Sequence, residues 1–197
     1  MIVYDISRGH LTAPVYPGDP HPKVDRLLRL EMGDDCNTSA LFSCVHAGTH
    51  VDAPYHYLED GEPIDKMPLD SFVGECVVVT VSEALIAGDV IESILSRGFK
   101  RILFRGGGKS YLSQSAAFVL ASEHAVLVGT DSMSIESDDS NGIVHRELLS
   151  GNVSVLEGLD LSEVRDGKYF LVAPPVKIEQ SDGAPARAIL LDALFFV

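Results

Sequence analysis

The sequence predicts a single α/β domain, a mixed central sheet with flanking helices. Its 197 residues are 46% apolar and 22% charged, a globular balance. A chain of this length buries roughly 70% of its unfolded surface, enough for its own core. Up to about residue 80 the chain is rich in Pro and Gly and reads as strands and turns; beyond it helix and strand patterns alternate, as when helices pack on a sheet. No repeat, low-complexity block or polar linker divides it, so residues 1–197 are read as one domain.

The elements follow in order. Val3–Ile6 is a short strand, and the prolines of Ala13–Pro20 make a rigid loop. Val24–Met32 and Thr38–Val45 are strands joined by a polar turn containing Gly33, Asp34 and Asp35. The β-branched run of Cys76–Val81 is a buried strand. Val90–Ser96 is a helix, with Asp89 as N-cap and Gly98 as its stop. Ile102–Phe104 is a strand, Gln114–Glu123 a helix capped by Ser113, and Val126–Val128 a strand. Ile143–Leu149 is a helix ended by Gly151 and followed by strand Val153–Leu156. Tyr169–Ala173 and Ala188–Leu191 complete the sheet. The apolar tail Leu194-Phe195-Phe196-Val197 is either a last buried strand or part of a subunit contact.

With 15 basic and 29 acidic residues the net charge is −14, which argues against nucleic acid or an anionic membrane surface as partner, since both demand a basic face. Cys36, Cys44 and Cys76 are odd in number and form no CxxC pair, a pattern that suits free thiols in a reducing compartment. The N-terminus lacks a basic stretch followed by an apolar one, and no apolar run approaches the ~18 residues of a membrane span. A cytoplasmic protein is expected.

The chemistry concentrates in Val45-His46-Ala47-Gly48-Thr49-His50-Val51-Asp52-Ala53-Pro54-Tyr55-His56, which holds three of the chain's seven histidines. Gly48, the β-branched Thr49 and Val51, and Pro54 oppose a helix here. Read as extended, the window puts His46, Gly48, His50, Asp52 and His56 on one face, with Val45, Ala47, Thr49, Val51, Ala53 and Tyr55 on the other, free to pack on a core. Gly48 would leave open space between the imidazoles. Neutral imidazole with carboxylate suits zinc, manganese or iron. A solvated strand face is the plain alternative, but it gains nothing from three histidines. Cys44 shares the parity and is read as a buried inert thiol.

Two imidazoles and one carboxylate are too few ligands. His145, on the helix Ile143–Leu149, and Glu157, at the end of strand Val153–Leu156, are the best further candidates; taken alone they could equally be a surface helix residue and a turn acid. Gly106-Gly107-Gly108-Lys109-Ser110 suggests phosphate binding, but a P-loop needs Gly where Leu103 stands, so the glycines are read as a flexible turn by a pocket.

The window His46–His56 resembles the HxGTHxDxPxH signature of the cyclase family of metal-dependent hydrolases, which includes bacterial kynurenine formamidases. Further stretches resemble the family in order: Asp5-Ile6-Ser7 and Pro14–Asp19 its opening, Gly129–Ser134 its Gly-x-Asp-x-x-Ser element, His145–Leu149 with Glu157–Leu161 its second metal-binding stretch, and Pro185–Leu190 its close. The resemblance implies a compact β/β/α cyclase-like fold, usually a homo-oligomer (dimer or tetramer). It implies two divalent ions, zinc or manganese, with His46, His50 and Asp52 binding one and His145 and Glu157 helping bind the other. His56 would be the catalytic acid/base. Tyr16 stands where the family's formamidases commonly carry Trp, which makes it a candidate for contact with substrate.

The ligand set suggests hydrolysis of a small carbonyl substrate by metal-activated hydroxide, with His56 protonating a departing nitrogen. The resemblance points to an aryl formamide such as N-formylkynurenine; the alternatives are an isatin-like cyclic amide, a lactone or an ester. A non-catalytic, metal-stabilised binding module is the rival from another class, and there a histidine beyond the ligand set would have no task.

Overall fold

The computed structural model describes residues 2–192. Thirteen strands are present among them: β1 (Val3–Asp5), β2 (Lys23–Leu28), β3 (Thr38–Phe42), β4 (His50–Asp52), β5 (Val73–Thr80), β6 (Leu85–Ile86), β7 (Arg101–Arg105), β8 (Tyr111–Leu112), β9 (Leu127–Thr130), β10 (Ser154–Glu157), β11 (Gly167–Val172), β12 (Gly183–Pro185) and β13 (Ile189–Asp192). Three helices accompany them: α1 (Gly88–Leu95), α2 (Gln114–Ser122) and α3 (Ile143–Ser150).

Nine strands form one mixed sheet in the order β1-β13-β11-β5-β7-β9-β10-β4-β12. Its centre, β5-β7-β9-β10, is parallel, and the flanking pairs are antiparallel. Both faces of the parallel centre are buried, so its strands read as unbroken apolar runs. Period-two alternation sorts their side chains: Val77, Ile102, Phe104, Val128 and Val155 pack with Ile91 of α1, Leu120 of α2 and Leu148 of α3. Val78, Leu103, Leu127 and Leu156 point the other way, into a core shared with Val51 of β4, Leu171 of β11, Ala184 of β12 and Leu190 of β13. Strands from both wings of the sheet close on one core, so the sheet curls. The helices cover its outer face.

The expected α/β architecture is therefore present, with differences of detail. Asp89 does not cap α1: Ala87 holds that position and Asp89 lies in the first turn. Ser113 does cap α2, accepting from the N–H of Ala116. The strand expected over Val24–Met32 ends at Leu28, where a bulge shifts the register and residues 30–32 coil into a 3-10 turn. The tail Leu194–Val197 lies outside the described residues. Strands β2 and β3 pair only with each other and stand apart from the large sheet.

Candidate metal centre

Strand β4 is the axis of the site. It pairs antiparallel with β10, setting His50 opposite Glu157 and Asp52 opposite Val155. Its other edge pairs with β12, setting Gly183 opposite Asp52. Alternation sends Val51, fully buried, into the core and turns His50 and Asp52 together to the other side. The extended reading of the window holds only over these three residues. Residues 46–49 form a turn, and Pro54–His56 is a 3-10 helix that leaves Tyr55 about half exposed instead of in the core.

Gly48 does not open space between the imidazoles. It adopts φ +65° in the turn, close against His10 and Ala13, and its carbonyl meets Gly158, also at positive φ, where a Cβ would lie 2.3 Å from that oxygen. Thr49 Oγ1 locks the approach, donating to the Gly158 carbonyl at 2.6 Å and accepting from the N–H of Arg8. Gly183 serves the site directly: a Cβ there would stand 2.6 Å from Cε1 of His46.

The structure brings His46, His50, Asp52, His56, His145 and Glu157 to one place. Nδ1 of His46 lies 2.8 Å from Asp52 Oδ1. Nε2 of His50 lies 3.3 Å from Asp52 Oδ1 and 3.5 Å from Glu157 Oε2. Nε2 of His145 lies 3.1 Å from Glu157 Oε1 and 3.4 Å from Asp52 Oδ2. Each of these rings turns its second nitrogen to an outer acceptor: His46 Nε2 to Asp182 Oδ2 at 2.9 Å, His50 Nδ1 to the Gly48 carbonyl at 3.0 Å, and His145 Nδ1 to Glu157's neighbour in the cluster, Glu136 Oε1, at 3.1 Å. A carbonyl only accepts, so His50 Nδ1 carries the proton and its neutral ring would aim a lone pair at two carboxylates. Asp52 Oδ2 is buried and accepts no hydrogen bond.

Such a cluster needs a cation, because lone pairs facing buried carboxylates repel. Without an ion, protons fill the need. Burial depresses the pKa of His50, but Asp52 and Glu157 outweigh it and carry the imidazole up to about 10. Burial likewise opposes a charged His145, and Asp52, Glu136 and Glu157 reverse it strongly upward. Burial would raise Asp52, yet the imidazoles of His145, His46 and His50 hold it well below the usual carboxylate range. The donor set of imidazole and carboxylate, inner lone pairs, outer acceptors and an orphaned carboxylate oxygen fits a divalent transition metal. Two overlapping groups bring ligand atoms within 4.8 Å of one another, His46–Asp52–His56 and His50–Asp52–Glu157, with Asp52 common to both.

His56 stands apart chemically. Its ring stacks on His46 with centroids 4.0 Å apart, and Nδ1 faces Asp182 Oδ2 at 3.3 Å. Burial pulls its pKa below the ordinary imidazole value. Tyr57 stacks on His145 at 4.5 Å. A cavity of 360 Å³ opens over the cluster, lined among others by Tyr16, Asp19, Tyr57, Met133, Asp138 and Asn141, and by no Lys or Arg. Tyr16 lies at this cavity and donates its hydroxyl to Asp138 at 2.8 Å. Cys44 does not line it; the thiol is half-buried, and burial raises its pKa.

The triple glycine lies elsewhere. The N–H groups of Gly106, Gly107 and Gly108 donate to the carboxylate of Asp131 at 3.0, 2.9 and 3.1 Å, so this turn is fixed from within and none of the three lines the cavity. Amides that a phosphate would need are already used. Sequence reading missed Glu136, Tyr57 and Asp182. The last had one visible signal, an acid directly before a glycine in a turn, and the first had none beyond its place after the Gly-x-Asp-x-x-Ser element.

The Cyclase family model matches residues 4–137. The kynurenine formamidase of Erythrobacter litoralis (strain HTCC2594) is 35% identical over 200 residues, covering 95% of this chain and 93% of that protein. A predicted metal-dependent hydrolase from Bacillus stearothermophilus superposes with TM-score 0.80 at 30% identity, over 96% of this chain and 97% of that one. Isatin hydrolase A from Labrenzia aggregata superposes with TM-score 0.82 at 19% identity, over 96% and 93%, a likeness of fold alone.

Proposed function

The chain belongs to the cyclase family of metal-dependent hydrolases, and on that footing we propose that it cleaves the C–N bond of an aryl formamide of the N-formylkynurenine kind. The observation that carries this reading is the cluster itself: three imidazoles whose inner nitrogens face Asp52 and Glu157 while their outer nitrogens lie 2.9–3.1 Å from other acceptors. His46, His50, Asp52, His145 and Glu157 would hold two divalent ions, zinc or manganese. Bound there, such ions supply Lewis acidity and lower the pKa of water from about 15.7 toward ~7.

The chain's own part is orientation and proton transfer. With Nδ1 turned to Asp182, His56 keeps its Nε2 lone pair for the cavity, and its depressed pKa leaves it neutral at pH 7. Nε2 takes the proton from the attacking water and returns it to the nitrogen, which leaves poorly as an anion. Tyr16, Tyr57 and Met133 offer apolar surface to an aryl ring. Asp19 and Asp138, with no Lys or Arg among the lining residues, suit the ammonium of an amino-acid side arm. The test is a hydrolysis screen of aryl formamides, cyclic amides, lactones and esters with added zinc or manganese. Turnover of formamides supports the assignment; turnover of isatin-like rings or lactones with none of formamides overturns it in favour of another substrate.

The same proposal extends to assembly and setting. The β2–β3 ribbon exposes Leu27, Leu41 and Phe42 by more than half, which favours a homo-oligomer. Cys36, Cys44 and Cys76 are unpaired thiols, which suits the cytoplasm, and no helix among the described residues is long and apolar enough to cross a membrane.

A further inference from the structure

We infer that Glu136 is the positioning residue for His145 and thereby sets the affinity of the ion that His145 holds; the inference rests on the metal reading above. Glu136 is 6% exposed and lies in the segment that follows β9. Its two carboxylate oxygens do different things. Oε2 accepts the N–H of Val144 at 2.8 Å, in the first turn of α3. The residue at the N-cap of α3 is Gly142, at φ +78°, and offers no side-chain cap. A carboxylate eight residues back along the chain thus satisfies an amide that the helix start leaves free, and puts negative charge at its positive end. Oε1 stands 3.1 Å from Nδ1 of His145, the next residue along the helix. One side chain therefore holds the backbone that carries His145 and sets a carboxylate against the outer edge of its ring.

The neighbouring residue completes the arrangement. Ile135 donates its N–H to Glu157 Oε1 at 2.7 Å, the same oxygen that faces Nε2 of His145. Residues 135 and 136 accordingly hold the two proposed ligands in mutual register, one through a backbone amide and one through a carboxylate. Tyr57 stacks on the His145 ring, which leaves it little freedom to swing. The other two imidazoles are held differently: His50 by a backbone carbonyl and His46 by Asp182, which is 42% exposed. Of the two outer carboxylates Glu136 is the less exposed, so its charge is the less screened at the ring it faces. Outer partners of metal-bound imidazoles are typically worth 10–100-fold in metal affinity.

The test is a zinc and cobalt titration of the full chain, comparing wild type, Glu136→Gln, His145→Ala and the double variant. Gln can still accept from Val144 with its carbonyl oxygen, so the helix start is retained, and the melting temperature of the metal-free proteins checks this. The expected result is two ions in wild type, with one of them weakened ~10–100-fold in Glu136→Gln and the cobalt absorption of that site altered. In the His145→Ala background Glu136→Gln should cost nothing further. Two ions bound with unchanged affinity in Glu136→Gln would overturn the role of Glu136, as would an equal loss with and without His145. Wild type that takes fewer than two ions would overturn the two-ion reading and the inference with it.

Discussion

The seam between β4 and β10 buries groups that ordinarily face water, whereas the β2–β3 ribbon exposes groups that ordinarily face a core. At the seam His50, Asp52, His145 and Glu157 are each no more than 4% exposed, yet four titratable side chains share one small space. On the ribbon every residue of β2 is exposed, Val24, Leu27 and Leu28 included, and β3 adds exposed Leu41 and Phe42. Each region contravenes the usual sorting of side chains. The difference lies in what would resolve it. Buried like-charged carboxylates call for a cation, a point ligand that groups from two strands, a turn and a helix could surround. Exposed apolar surface on an isolated two-stranded ribbon calls for area, which only another folded surface provides.

The largest effects should come from breaking the seam. His50→Ala is expected to lose metal and activity together, because it removes a lone pair aimed at both carboxylates. Elemental analysis and turnover on one substrate check it, and full metal content in this variant would remove His50 from the ligand set. His56→Ala should differ: metals retained, kcat down ~10²-fold or more, and a smaller loss on activated esters, whose phenolate leaves without a proton. His56 is near enough to His46 and Asp52 to share an ion with them, so loss of metal in His56→Ala would make it a ligand and not the acid/base.

Much of the seam is legible in the sequence because its residues come from a dense local pattern. His46, His50, Asp52 and His56 lie within eleven residues, and the alternation of His50, Val51 and Asp52 needs only strand geometry to interpret. The wrong part of that reading was its extent. Pro54 starts a 3-10 helix and Gly48 a turn, so His46 and His56 reach the cluster through bends that parity does not describe. Glu136 and Asp182 were not legible, since their importance comes from contacts nine and 136 residues away along the chain, to His145 and His46 respectively. Gly106–Gly108, read as a flexible turn, differ for the opposite reason: the turn is there, but the carboxylate of Asp131 takes all three amides and fixes it, a contact 23 to 25 residues away.

A gentler perturbation of the seam is pH on chelated protein. His50 is carried up to about 10 once folded, against an ordinary value of 6.5. A group whose pKa rises on folding adds stability that is complete below 6.5 and disappears as pH climbs through the folded value. Asp52 and Glu157 are depressed, so their share is complete above the ordinary carboxylate range and lost in acid. Metal-free protein should therefore melt at steadily lower temperature from pH 6.5 toward about 10. Metal-loaded protein should not, since the ion replaces the protons, and saturation at 100 times Kd should add ~2.7 kcal/mol. Parallel melting curves of the two forms, flat in both across this interval, would mean that the imidazoles do not carry the compensating charge.

The ribbon should give the smallest effect on chemistry and the cleanest one on mass. Val24 sits directly across from Leu41 and Lys23 across from Phe42, so apolar side chains occupy both faces of the hairpin. Leu27→Glu with Phe42→Glu replaces two side chains that are 61% and 54% exposed. In a lone chain such surface changes cost within about 0.5 kcal/mol and leave the fold intact. Within an oligomer they would bury two carboxylates against apolar surface, at several kcal/mol each, and separate the copies. Light scattering should therefore report a multiple of the 21.2 kDa chain for wild type and a single chain for the variant, with metal content unchanged because the ribbon contributes no residue to the cavity over the seam. Wild type that scatters as a single chain at micromolar concentration would show that the ribbon tolerates water, and that the two regions break the usual sorting for unrelated reasons.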